Sequence, residues 1–267
     1  MKSSEIKYNR IGQSYNSTRK ADPYLLERLI AMLDPQPEEA FLDLGCGTGN
    51  YSIALQMRGL KLMGMDPSET MLKVARERNP KGDWQIGEAE NTGLEDQSMD
   101  GIIATLTLHH WTNLEKAYLE ICRVLKARGR MVIFTSTPEQ MQGYWLNHYF
   151  PQMLADSTAQ MPSLKRIKAA AQGAGMFIER EEIYEVKKDL QDQFLQCGKE
   201  QPELYFRDEI RKGISSFADL SRQEDVDQGL WLLKQDVESG KFWEIKKQYD
   251  SDLGDYLFLS LKKSHEA

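Results

Sequence analysis

Cysteine is scarce in this chain: Cys46, Cys122 and Cys197 are the three in 267 residues, and no two stand at a C-x-x-C spacing. A thiolate zinc site or a dithiol pair is read from that spacing, and a disulfide framework from a denser, even set, so the thiols are expected to be reduced. Long apolar runs are missing too. No window of about 18 apolar residues is present to span a bilayer, and the opening MKSSEIKYNR has no apolar stretch behind its lysines, so a cytoplasmic protein without a membrane partner is expected. Lys and Arg number 34 against 41 Asp and Glu, a formal charge of −7. That balance argues against nucleic acid as a partner, because backbone binding rests on clustered cations displacing counterions. Four histidines and scattered acids make no ligand spacing, so no metal is expected.

What is present is apolar material for one substantial core, 40% of the chain, enough at this length to hide most of the unfolded surface. At 22–33, Leu25, Leu26, Leu29, Ile30 and Leu33 recur at helical spacing, with Pro23 where a first turn tolerates it. From 40 to 136 short apolar runs alternate with helical patterns. Strands are expected at 41–44, 60–65, 84–87, 101–106 and 130–135, and helices at 51–58, 68–78 and 114–125. Further along, 164–174 reads as a helix and 177–186 and 256–261 as strands. Strands separated by helices imply parallel pairing through crossover units. The class is α/β, a doubly wound, mostly parallel seven-stranded sheet with helices on both faces. The chain divides into an N-terminal helical segment (1–33), the sheet core (34–188), a helical insertion or lid (189–250), and the final strand with a tail (251–267). The insertion's aromatics, among them Phe194, Phe206, Phe217, Trp231 and Phe242, are read as helix core ahead of ligand contacts, with a lid that carries a binding surface as the other reading.

The strongest local signal is Phe41-Leu42-Asp43-Leu44-Gly45-Cys46-Gly47-Thr48-Gly49-Asn50, an apolar strand running into a loop with glycine at alternate positions. Glycine there allows a sharp turn at positive φ and close approach of backbone to a ligand, and the helix that follows opens with unpaired N–H groups. A dinucleotide fingerprint would put its third glycine one residue later, and a phosphate loop would carry a lysine after it; neither holds. Asp66 ends the second strand about 20 residues beyond Gly45, where a carboxylate accepts from both ribose hydroxyls of an adenosine-type ligand. It also sits where a helix N-cap before Pro67 would stand, and one residue can do both.

Gly87-Glu88-Ala89-Glu90 follows the third strand, and Thr107-Leu108-His109-His110-Trp111 follows the fourth. With Asp43 and the glycine loop, these segments resemble the successive motifs of class I S-adenosylmethionine-dependent methyltransferases, in particular the small-molecule branch. The resemblance covers residues 8–136, and Tyr8, Tyr15 and Arg19 resemble the segment that folds over the cofactor. It implies a Rossmann-like methyltransferase fold with S-adenosylmethionine as cofactor and S-adenosylhomocysteine as product. Gly45, Cys46 and Gly47 would then present backbone to the methionine moiety, with Arg19 on its carboxylate and the Leu106 carbonyl on its amino group. Asp66 would hold the ribose, Pro67 and Met71 would flank the adenine, Glu88 would receive the adenine amino group, and Ala89 would offer backbone to the ring. Tyr15 would close over the site.

Methyl transfer asks for positioning in a water-excluding pocket, and for a base only where the acceptor atom carries a proton. His110 is the candidate base, because a histidine after this strand titrates in the useful range; lining the pocket is its other reading. Trp111 is read as a substrate-binding wall of the pocket or as packing beneath the next helix. Tyr144, Trp145, His148, Tyr149 and Phe150 are expected, with part of 189–250, to close the acceptor pocket around a flat or apolar small molecule. Two other functions stay open: the same fold acting on tRNA or protein, and a non-catalytic S-adenosylmethionine-binding protein. The acceptor, the atom methylated and the oligomeric state are not legible.

Overall fold

The computed structural model describes residues 18–264. Tyr8 and Tyr15 lie outside the described residues. Seven strands form one sheet: β1 (Ala40–Leu44), β2 (Lys61–Asp66), β3 (Asp83–Ile86), β4 (Met99–Thr105), β5 (Leu125–Thr135), β6 (Met176–Tyr184) and β7 (Tyr256–Lys263). Their order is β3-β2-β1-β4-β5-β7-β6. The first five pair parallel, and β7 runs antiparallel to both β5 and β6. Helices α1 (Pro23–Leu33), α2 (Asn50–Met57), α3 (Glu69–Arg78) and α4 (Leu114–Val124) serve the first half. The second half carries α5 (Pro138–Gln142), α6 (Leu146–Tyr149), α7 (Pro151–Ala159), α8 (Leu164–Gly173), α9 (Asp208–Lys212), α10 (Gln223–Ser239) and α11 (Phe242–Lys247).

The alternation of a pleated strand divides the core into two layers. Phe41 of β1 joins Ile103 of β4 and Val132 and Phe134 of β5 on one face. Leu42 and Leu44 join Ile102, Ala104, Met131 and Ile133 on the other, where α4 contributes Leu114, Ala117, Tyr118, Ile121 and Val124 at helical spacing. Local signals set the helix starts. Asp22 caps α1 by accepting the N–H groups of Tyr24 and Leu25, and Asn113 caps α4 by accepting that of Lys116. The end of α4 departs from the sequence expectation: Leu125 is extended and pairs with Met99 of β4, so β5 begins five residues early, across a register shift.

A helical cap lies over one end of the sheet, and it draws on two segments. One is 189–250; the other is 138–159, which the sequence reading leaves in the core. They pack together because each carries aromatics that need a partner. Trp145 meets Tyr205 edge-on at 5.5 Å and Phe242 at 4.9 Å, Phe150 meets Phe217 at 5.0 Å, and the Tyr149 hydroxyl donates to Asp236 at 3.2 Å. Asp255, 4% exposed, ties this cap to β7. Its carboxylate accepts from the Val186 N–H and the Lys199 ammonium, both at 2.7 Å.

Phe134 joins sheet to cap: fully buried, it lies 4.6 Å from Phe258 and 5.3 Å from Tyr256, ring centre to ring centre, and 5.9 Å from Phe194 of the cap. Phe134→Ala is expected to destabilise the protein by about 3 to 5 kcal/mol in urea unfolding. A loss below about 1 kcal/mol would show that this aromatic cluster is loosely packed.

Candidate active site

In open parallel sheets, ligands bind beyond the carboxyl ends of the strands, at the point where strand order reverses. Here that point lies between β1 and β4, which pair directly while their neighbours lead away on opposite sides. The glycine loop leaves β1 there. Gly45, Gly47 and Gly49 all have positive φ, 80°, 56° and 77°. A Cβ on Gly45 would stand 2.2 Å from the Thr107 hydroxyl, and one on Gly49 would stand 2.5 Å from the Trp84 ring, so both are pinned by sterics as well as by conformation. A Cβ on Gly47 would meet nothing within 4 Å: at this position the backbone faces open space.

That space is a cleft of about 1240 Å³ counted to its mouth. Arg19, Gly45, Cys46, Gly47, Asp66, Pro67, Met71, Glu88, Ala89, Leu106, His110 and Trp111 all line it. The structure therefore brings every described residue of the expected cofactor set to one place. Asp66 is held there by an N–H on each carboxylate oxygen, Gly47 at 2.9 Å and Ser68 at 2.8 Å. A carboxylate has about four acceptor positions, so these bonds fix its orientation while leaving room for two ribose hydroxyls. The helix cap is not Asp66 but Ser68, whose hydroxyl accepts the Met71 N–H at the start of α3. Thr105 adds a fit of its own, because it lines the cleft with its hydroxyl oxygen buried and without a hydrogen-bond partner, ready for a polar ligand group.

The end of β4 is strained where the site needs it. Leu106 has φ of 53°, a conformation costing an L residue about 1 kcal/mol or more, and its N–H bonds the Phe134 carbonyl at 2.8 Å. Glu90, 7% exposed, accepts from the Thr112 hydroxyl and the Asn113 N–H, both at 2.8 Å, and so secures the loop that carries His109, His110 and Trp111. Trp111 packs edge-on against Tyr118 at 5.9 Å and lines the cofactor cleft; it does not line the cavity that adjoins the cleft, so its expected place in the acceptor wall is not where the structure puts it.

A second cavity, of about 860 Å³ to its mouth, adjoins the first. Leu106, His110 and Arg19 line both. Its remaining walls come mainly from the cap and the top of β5 and β7. Met141, Met161, Phe194, Leu195, Ile214 and Leu220 supply apolar surface, and Ser136, Tyr144, Ser157, Gln160, Ser215 and Tyr256 supply polar groups. Of the five residues expected to close the acceptor pocket with the insertion, Tyr144 is among them, its hydroxyl donating to the Asp255 carbonyl at 2.5 Å. The other four line neither cavity, Phe150 packing on Phe217 inside the cap. Trp145 is buried inside the cap with its indole N–H on the Lys199 carbonyl, Tyr149 is buried on Asp236, and His148 is exposed. Composition marks them as wall residues, and the cap uses three of them, Trp145, Tyr149 and Phe150, as its own core.

Sequence reasoning missed Tyr51 and Asp192 at the cofactor cleft and the serines at 215 and 216 in the second cavity. The serines have only a small polar pair after Ile214 as a signal.

Burial sets the electrostatics of the cleft floor. It pushes the carboxyl of Asp43 up to about 7, against the Ser52 hydroxyl that donates to it at 2.5 Å, and that of Asp66 up to about 6. Asp43 ionises less readily folded than unfolded, so its contribution to stability is complete below about 4 and is lost as pH rises through about 7. Asp43→Asn is therefore expected to gain on the wild type between pH 4 and pH 8, by on the order of 3 kcal/mol in urea unfolding. A wild type that gains on the variant with rising pH would contradict this.

The comparisons with known proteins bear on the family and the fold. A family profile described as a methyltransferase domain matches residues 42–133. The malonyl-[acyl-carrier protein] O-methyltransferase of Serratia marcescens is 30% identical over 135 residues, covering 51% of this chain and 53% of its own. The ubiquinone/menaquinone biosynthesis C-methyltransferase of Rubrivivax gelatinosus is 32% identical over 125 residues, covering 46% and 48%. The chain thus spans about half the length of these curated relatives. A solved structure from Anabaena variabilis, assigned as a methyltransferase of an antibiotic biosynthesis pathway, is 34% identical, superposes with a TM-score of 0.81, and matches 91% of this chain and 98% of its own. The fold is that of the Rossmann-like methyltransferases. The chain belongs to the class I S-adenosylmethionine-dependent methyltransferases.

Proposed function

We propose that this protein transfers a methyl group from S-adenosylmethionine to an O, N or C atom of a small organic acceptor held in the second cavity. The observation that carries the reading is the meeting of the two cavities at Leu106 and His110. One cavity has the residues for an adenosyl ligand and the other has an apolar body with hydroxyl-bearing walls. The cofactor, when bound, supplies an electrophilic methyl on a sulfonium.

The chain supplies the rest. Gly45, Cys46 and Gly47 bring backbone against the amino-acid end, Asp66 accepts from the ribose, Pro67, Met71 and Ala89 enclose the adenine, and Glu88 receives its amino group. Leu106, in its strained conformation, presents a carbonyl at the junction. Enclosure between sheet and cap excludes water, and fixed proximity provides most of the acceleration. His110, at the same junction, takes the proton from an acceptor hydroxyl or amine as the new bond forms. Met141, Met161, Phe194 and Leu220 in the wall suit a mainly apolar acceptor, and Ser136, Gln160 and Ser215 suit a hydrogen-bonding group on it.

The test is transfer of labelled methyl from S-adenosylmethionine to a panel of apolar phenols and amines, run for wild type and His110→Gln. The expected result is transfer to at least one class, with the variant slower by roughly 10²- to 10⁴-fold while S-adenosylhomocysteine binds both alike. Transfer undiminished in the variant would remove His110 as the base. Binding without transfer to any acceptor class would favour the non-catalytic reading.

A further inference from the structure

Among the described residues, the cap reaches the cofactor cleft at one charged side chain, Asp192. Asp192 lines the cleft, 1% exposed, and grips Arg19 along one edge of its guanidinium: Nε donates to one carboxylate oxygen at 2.5 Å and Nη2 lies 3.4 Å from the other. The second oxygen also accepts from the Tyr51 hydroxyl at 3.2 Å. Tyr51 stands in the first turn of α2, directly after the glycine loop. The backbone on either side of Asp192 is fastened as well. The Gln191 N–H donates to the Asp22 carboxylate at 2.9 Å, and the Gln193 N–H donates to the Thr18 carbonyl at 3.1 Å. Asp192 is thus a fixed point, and Arg19 is the long side chain it holds.

We propose that Asp192 is a positioning residue for the cofactor: by clamping one edge of the Arg19 guanidinium it fixes that cation where the amino-acid end of S-adenosylmethionine lies. The inference rests on the cofactor reading given above. A planar guanidinium recognises a carboxylate through paired N–H groups, so its value depends on orientation more than on charge alone. Without the clamp, the guanidinium edge that Asp192 holds loses its fixed orientation, which ligand binding must then restore at a cost in entropy. Removing the negative charge of Asp192 acts in the opposite sense, by lessening repulsion of the ligand's carboxylate. Orientation is the larger effect here because the pair is nearly dry and Asp192 is held from three sides. Burial also keeps Tyr51 protonated, its hydroxyl pushed well above the usual tyrosine range, so it remains a donor to Asp192 throughout the working pH range.

Two ligands separate positioning from general support of the fold. S-adenosylhomocysteine carries the amino-acid end, and 5′-methylthioadenosine has the same adenosyl part without it. Calorimetric titration of the full chain with each, for wild type, Asp192→Asn and Tyr51→Phe, reads the effect directly. Asp192→Asn is expected to weaken S-adenosylhomocysteine by about tenfold while leaving 5′-methylthioadenosine unchanged within about twofold. Tyr51→Phe is expected to give a smaller loss on the first ligand alone, and it carries the test should the Asp192 variant fail to fold. Equal losses on both ligands, an unchanged ratio, or tighter S-adenosylhomocysteine in the variants would each overturn the inference. A wild type that binds neither ligand would instead remove the cofactor reading beneath it.

Discussion

Everything at this site depends on one crevice, where β1 and β4 lie side by side and the chain leaves them in different directions. A peptide backbone must approach a ligand closely on one side of that crevice and turn abruptly on the other. Both demands are met by unusual dihedrals: positive φ at Gly45, Gly47 and Gly49 after β1, and at Leu106 after β4. The two sides are fitted to each other, since the space a Gly45 side chain would fill is taken by Thr107. A carboxylate stands at the end of the next strand, oriented by the loop's own N–H. The crevice is therefore built by backbone, and side chains are added to it.

The cap has a different logic. Its two segments, far apart in the chain, bury aromatics on each other and hang from β7 through Asp255. They enclose the second cavity and send Asp192 into the first. The sheet can thus stay constant while the cap varies. The family profile matches 42–133, a stretch that holds most of β1, all of β2 to β4 and most of β5, and none of the cap.

Sheet and crevice were legible in the sequence because their signals are local. The short continuous apolar runs of β1, β4 and β5, the glycine spacing and the carboxylate after β2 each lie within a few residues of what they determine. The same holds for Gly87 to Glu90 and for His109 to Trp111, which read as loops at strand ends and stand at the crevice. The cap was not legible in this way. Trp145 and Tyr149 have the composition of a pocket wall, but Tyr205, Phe242 and Asp236, distant in sequence, draw them into a core of their own. Asp192 meets Arg19 across 173 positions, and no periodicity reports such a pairing. The early start of β5 shows the same limit on a smaller scale, since pairing of Leu125 with Met99 ended the helix where its own pattern continued.

The central claim is that the ends of β1, β2 and β4 form one adenosyl site. Amide hydrogen exchange of the full chain with and without saturating S-adenosylhomocysteine tests it most directly. The account predicts slower exchange in three separated stretches, 44–49, 66–71 and 105–110, with the outer strand β6 unchanged. Protection absent from these stretches, or confined to one of them, would contradict it.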